Sequence, residues 1–88
     1  MVERRVTVVN AHGIHARPAA EIVKTAARFA SNVLLEKDGL EVNGKSIMGV
    51  MMLAAECGSQ VTIRADGADA QAAVDALAAL IAARFGEE

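Results

Sequence analysis

The run "HGIHARPAAEIVK", His12 to Lys24, places two histidines, an arginine and a proline where a candidate strand gives way to a candidate helix. Proline is tolerated only in the first turn of a helix, where its missing N–H lacks an intrahelical partner anyway. Pro18 therefore fixes the helix start within two or three residues of His15. His15 then lies at or near the N-cap, where unpaired backbone N–H groups and the positive end of the helix dipole favour an anion and disfavour a protonated imidazole. A neutral imidazole is a nucleophile. Arg17 is out of place in such a turn, since with nothing negative bound a cation there opposes the dipole by ~0.3 to 1 kcal/mol. A phosphoryl group on His15 reverses that sign, because it meets backbone donors, the positive helix end and a bidentate guanidinium within one turn of chain.

Histidine also suits transfer better than serine. Its neutral ring attacks without a general base and the P–N bond passes readily to the next acceptor, whereas a phosphoserine is a sink. Phosphoryl transfer through a loose, in-line transition state asks for positioning and charge stabilisation. A helix end and one arginine supply part of this, and a partner protein the rest. A lone histidine before a helix is usually an ordinary loop residue, and it is the company of Arg17 and Pro18 that separates this one. His12 and His15 read as a metal pair lack a third His, Cys or paired carboxylate close in sequence, so metal binding is disfavoured. His12 is a loop residue or a supporting neighbour.

A second stretch, "GLEVNGKS" from Gly39 to Ser46, fits the phosphate-binding loop pattern G-x-x-x-x-G-K-[ST] letter for letter. That loop follows a buried strand and leads into a long helix. The context is wrong for it: Leu40, Glu41, Val42 and Asn43 alternate apolar and polar and belong to a strand, with Gly39 in the preceding turn. No apolar strand ending in a magnesium-binding carboxylate is evident elsewhere, and 88 residues hardly build the parallel sheet of such enzymes. Nucleotide binding is set aside, and no cofactor is expected.

The elements that position His15 follow from periodicity. Arg4 to Val9 and Gln60 to Ala65 alternate as strands, and "SNVLLEKDGLEVNG" is a hairpin whose turn is Asp38-Gly39. Between the first two strands, Ala19, Ile22, Val23, Ala26, Phe29 and Ala30 share one side of a helix, with Arg17, Lys24 and Arg28 on the other. A shorter helix follows Ser46. A last helix from about Asp69 to Arg84 points Val74, Leu77, Ile81 and Phe85 inward. The order is βαββαβα, the split-βαβ plan of an α+β domain: four antiparallel strands with three helices on one face. Neither a linker nor an internal repeat divides the chain, so residues 1–88 are expected to form a single domain.

Composition narrows the function further. Residues 1 to 45 carry a net charge of +2 and residues 46 to 88 carry −4, and the only aromatics, Phe29 and Phe85, fall at apolar helix positions. A nucleic-acid binder needs a basic face with stacking aromatics, so nucleic acid is not an expected partner. Cys57 is alone, which leaves no disulfide framework and fits a reducing, cytoplasmic setting. No apolar run is long enough to insert in a membrane, and the first residues do not have the form of a signal peptide.

At "GIHARPAAEIV" and "KSIMGVM" the sequence resembles the histidine-containing phosphocarrier proteins, the HPr family of the bacterial phosphoenolpyruvate:sugar phosphotransferase system. The likeness covers the whole chain. It implies an open-faced β-sandwich and a monomeric, stoichiometric carrier that is not itself an enzyme. His15 is then the phosphoacceptor, at ring Nδ1, Arg17 the phosphate-stabilising residue and Pro18 the motif proline at the helix start. Enzyme I charged from phosphoenolpyruvate is the implied donor, and enzyme IIA domains of sugar permeases are the acceptors. Ser46 corresponds to a serine that an ATP-dependent HPr kinase/phosphorylase modifies in many relatives, and it is equally a preferred N-cap. The three methionines of "IMGVMML" are either core or, with Ala20, Lys24, Ile47, Met48 and Met51 as contacts, an adaptable docking patch for acidic-rimmed partners. A nitrogen-branch or purely regulatory relative shares the signature, though "KSIMGVM" favours the sugar branch. Ala16, Glu56, Cys57 and the acidic pair Glu87-Glu88 carry no functional signal in this reading.

Overall fold

The computed structural model describes residues 1–87. Its elements run β1 (Val2–Thr7), α1 (Ala16–Ala26), β2 (Asn32–Lys37), β3 (Leu40–Asn43), α2 (Ile47–Met52), β4 (Gln60–Asp66) and α3 (Ala70–Ala82), the expected βαββαβα order. The strands form one sheet in the order β1-β4-β2-β3, and every neighbouring pair is antiparallel. Register follows the alternation of side chains. Val6 pairs with Val61, Leu35 with Ile63 and Val33 with Ala65, and these residues face the helices, all buried but Val6, which is half-buried. The helix stripes complete that core with Ala19, Ile22 and Ala26 from α1 and Ala73, Val74, Leu77 and Ile81 from α3.

The other face of the sheet is open and held by charge. Glu36 lies directly opposite Glu41, a like-charge pair that by itself destabilises a ladder. Arg64 resolves it from the central strand β4: its guanidinium reaches Glu41 at 2.8 Å, Glu3 at 2.6 Å and Glu36 at 3.8 Å, so one side chain links all four strands.

The hairpin turn is where the sequence puts it. Asp38 and Gly39 both have positive φ, 52° and 86°, the two left-handed residues that a two-residue hairpin turn needs. Leu40 to Asn43 are β3 and Lys45 donates from Nζ to the Phe29 carbonyl at 2.8 Å, so the residues of the nucleotide-loop pattern are occupied in a hairpin and a helix approach.

Three boundaries differ from expectation. β1 pairs over Val2–Thr7 and not Arg4–Val9, because β4 ends its ladder at Gln60 opposite Thr7 and the chain turns at Cys57 and Gly58. Helix α1 stops at Ala26, which leaves Ala30 exposed and outside the apolar stripe. The cause lies far along the chain. The Asp69 carboxylate accepts hydrogen bonds from the Ala30 and Ser31 N–H groups, each at 2.9 Å, and from the Ser31 hydroxyl, a set of bonds that a continuing helix could not make. Helix α3 ends at Ala82 and passes into a left-handed turn at Arg84, Phe85 and Gly86, with φ of 61°, 57° and 75°. Phe85 is inward as expected, but through this turn and not on a continuing helix.

Candidate functional site

The loop between β1 and α1 is fixed from three sides before it reaches His15. Val8 exchanges hydrogen bonds with Ser59 and Gly58, at 2.9 and 2.7 Å, and Ile14 donates to the Ala55 carbonyl at 2.8 Å with its side chain buried. Gly13 has φ 65°, and a Cβ on it would lie 2.4 Å from the Ala55 oxygen. Only glycine lets the loop press this closely on the Ala55-Glu56 backbone. Fully buried Asn10 donates from Nδ2 to the Gly13 carbonyl at 2.7 Å and closes the loop on itself.

His15 is the N-cap of α1, with an extended backbone (φ −89°, ψ −169°) and a carbonyl that accepts from Ala19 N–H at 2.9 Å. Its side chain makes no capping hydrogen bond, so the ring is not bound to the helix it precedes. Arg17 and Pro18 follow in the first turn, where Pro18 is buried. The His15 side chain is 43 % exposed and that of Arg17 63 %. The His12 ring stands edge-on to His15 with centroids 6.0 Å apart. Among the described residues no group of three or more His, Cys, Asp or Glu is arranged to hold a metal ion.

The His15 and Arg17 side chains converge on one carboxylate. Glu87, delivered by the left-handed turn after α3, lies 3.1 Å from His15 Nε2 through Oε1 and 3.3 Å from Arg17 Nη1 through Oε2. Its Oε1 also accepts from Asn10 Nδ2 at 2.9 Å. These partners, Asn10 first and then His15, hold the Glu87 carboxyl below its ordinary value. Sequence reasoning missed both residues. Glu87 had carried no signal, and Asn10 was an unremarked loop residue, because the contact from Glu87 to His15 spans 72 positions and depends on a left-handed turn that only Gly86 hints at.

Ser46 is the N-cap of α2, its hydroxyl accepting from Gly49 N–H at 3.2 Å. Beyond it α2 buries Val50 and leaves Ile47, Met48, Met51 and Met52 exposed, Met48 by 77 %. Three methionines of this helix region are thus surface and not core. Helix α2 packs against α1, which carries exposed Lys24 and half-buried Ala20, so the apolar face and the His15 helix are neighbours. No helix among the described residues is long and apolar enough to cross a membrane.

Fold and site together define an open-faced β-sandwich protein that presents an exposed histidine and arginine at the start of its first helix. Residues 2–83 match the family model described as "PTS HPr component phosphorylation site". The chain belongs to the HPr family of the phosphotransferase system. It is 53% identical over 87 residues to the phosphocarrier protein HPr of Cupriavidus necator, covering 99% of this chain and 98% of that protein. It is also 52% identical over 81 residues to the HPr-like protein Crh of Bacillus subtilis, covering 92% and 95%. The crystal structure of HPr from Thermoanaerobacter tengcongensis superposes with a TM-score of 0.96 at 46% identity, covering 100% of this chain and 99% of that one.

Proposed function

We propose that this chain, as one HPr-like domain over residues 1–88, carries phosphoryl groups on His15 from phospho-enzyme I to enzyme IIA of sugar phosphotransferase systems. The observation that carries the reading is the convergence of the His15 ring and the Arg17 guanidinium on one carboxylate at the start of α1. Two side chains that reach one small anion can also reach a phosphoryl group, and the helix end adds its dipole and free N–H donors. His15 is the acceptor, Arg17 neutralises the transferred group, and Pro18 holds both at the helix start. The chain acts in this reading as a cytoplasmic monomer, and transfer uses no cofactor of its own.

The exposed apolar side chains of α2, Ile47, Met48 and Met51, together with Ala20 and Lys24 of α1, form the face on which enzyme I and enzyme IIA dock. Methionine suits a surface that repacks against more than one partner. Lys24 and Arg17 give it a basic rim for acidic-edged partners.

The test is intact mass after incubation with enzyme I, magnesium and phosphoenolpyruvate, beside a His15→Ala control and an acid-treated aliquot. One added phosphoryl group, lost in acid and absent from the control, is the expected result. No addition with several active enzymes I refutes the carrier role. A second reading, regulation through an HPr kinase/phosphorylase, is favoured by Ser46, the half-buried N-cap of α2 two residues before exposed Met48. A phosphate there gains from the helix end and places a dianion on the docking face. Absence of any Ser46 phosphate with ATP and a broad set of such kinases refutes it.

A further inference from the structure

We infer that the open face of the sheet binds a free basic amino acid, of which lysine is the type, in a groove of about 310 Å³ lined by Arg5, Glu36, Asp38, Gln60 and Thr62. Register builds the site. Thr62 of β4 lies directly opposite Arg5 of β1 on one side and Glu36 of β2 on the other, so a cation, a hydroxyl and an anion form one row across three strands. Gln60 lies two residues back along β4 on the same face, and Asp38 stands at the left-handed hairpin turn that follows β2. None of the five belongs to the His15 site, and the helices cover the opposite face of the sheet.

The row does not close on itself. Arg64 is engaged by Glu3 and Glu41, and Arg4 approaches Asp75 at 3.9 Å, whereas Arg5 makes no ion pair among the described residues. Glu36 is half-buried, and its Oε2 accepts from Gly39 N–H at 2.9 Å, which fixes the side chain. Its Oε1 faces only Arg64 Nη2, at 3.8 Å. Asp38 is exposed, with Lys37 Nζ at 3.5 Å from its carboxylate. Thr62 is buried in the floor of the groove, and exposed Gln60 lies beside it.

Charge selects the ligand. A guanidinium at one side and two carboxylates at the other are the complement of a molecule with a carboxylate at one end and an ammonium at the other. Arg5 takes the α-carboxylate as a bidentate pair, and Glu36 Oε1 and Asp38 take the side-chain ammonium. Between them the Thr62 hydroxyl and the Gln60 side-chain oxygen accept from the α-ammonium. Arg5 and Glu36 stand two strand spacings apart, about 9 to 10 Å between backbones. A long ligand with its charges at opposite ends bridges that span and a short zwitterion does not. All five lining side chains are charged or hydrogen-bonding, so an apolar ligand gains nothing here, and the volume is at the small end for ligand sites. Because the charges stay in contact with water, the expected dissociation constant is on the order of 1 mM.

The test is titration of the isotope-labelled full chain, followed by proton–nitrogen correlation spectra at constant ionic strength and pH. Three probes are compared: lysine, norleucine, which lacks the side-chain ammonium, and cadaverine, which lacks the carboxylate. The expected result is saturable shifts at Arg5, Glu36, Asp38, Gln60 and Thr62 with lysine. Norleucine and cadaverine should each bind about fivefold more weakly, the upper end for one partly exposed charge pair. Arg5→Gln should abolish the advantage of lysine over cadaverine, and Asp38→Asn should reduce its advantage over norleucine. Both residues are exposed, and asparagine tolerates the positive φ of position 38, so the variants keep the fold, which the same spectra check. Shifts that do not saturate, or that miss these residues, overturn the inference. Equal affinity for the three probes does so as well, and so does undiminished discrimination in both variants.

Discussion

Replacing Gly13 by alanine tests how tightly the active loop is built. The substitution meets two separate obstacles. At φ 65° an L-residue pays a conformational cost of ~1 to 2 kcal/mol. The new Cβ would also lie 2.4 Å from the Ala55 oxygen and 2.8 Å from the Glu56 Cα, both backbone atoms that cannot rotate away. Forcing them apart is an overpacking cost of ~1 to 3 kcal/mol. The total, about 2 to 5 kcal/mol, lowers the thermal midpoint of a domain this size by at least about 10 °C. Gly39→Ala is the control, because Gly39 has φ 86° but nothing within 4 Å of its missing Cβ. It carries the conformational cost alone. Urea unfolding of the two variants beside wild type isolates the steric part as their difference. Transfer to His15 should fall in Gly13→Ala and not in Gly39→Ala, since Gly13 accepts from both His15 N–H and Asn10. Two variants within about 0.5 kcal/mol of each other would show that the loop yields freely, and the argument from close approach fails.

Three further outcomes are expected. Ser46→Ala removes the cap of α2 and should cost about 1 kcal/mol in urea unfolding; an unchanged midpoint would mean that the 3.2 Å bond to Gly49 contributes nothing. Asp69 is held below its ordinary value of 3.8 by the Ser31 hydroxyl, then by the Ala30 and Ser31 N–H groups, so its contribution is present above 3.8 and is lost as pH falls through the lower folded value. Asp69→Asn should therefore flatten the acid limb of stability measured by urea unfolding at a series of pH values, and an equally steep limb contradicts the assignment. Lys24→Glu reverses an exposed charge on the proposed docking face and should slow transfer at low salt without changing the unfolding midpoint; equal rates at low and raised salt in wild type and variant would remove electrostatics from docking.

Most of the fold was legible because local signals agreed with tertiary ones. Pro18 marked the start of α1 to within a turn, Asp38-Gly39 marked the hairpin, and the period of Val74, Leu77 and Ile81 marked the buried side of α3. The alternation of Leu40 to Asn43 was enough to distinguish a strand from the nucleotide-loop pattern written over it. What stayed hidden was decided at long range. No glycine or proline ends α1 at Ala26; the Asp69 carboxylate, about forty positions on, collects the next N–H groups instead. Arg84 and Phe85 adopt positive φ although neither residue favours it, because the turn buries Phe85. His15 and Arg17 were marked by residue type and helix position and Ser46 by the family resemblance, while Glu87, which meets His15 and Arg17, and Asn10, which holds it, were not. An acidic residue beyond the last helix has no local pattern that says what it will touch.

The turn at Arg84 to Gly86 has one more consequence, for competition. Glu87 hangs from a buried Phe85 by a single glycine, so its carboxylate faces the helix end as an intramolecular ligand and not as a solute. A short tether of this kind corresponds to an effective concentration in the millimolar range or above. Free phosphate and the small carboxylic acids of metabolism must outcompete that carboxylate to occupy the positive end of α1. A docked partner has no such handicap, since it brings its own contacts to displace the tether. On the proposed reading, the charged end stays closed to stray anions and opens to a docked phosphoryl donor.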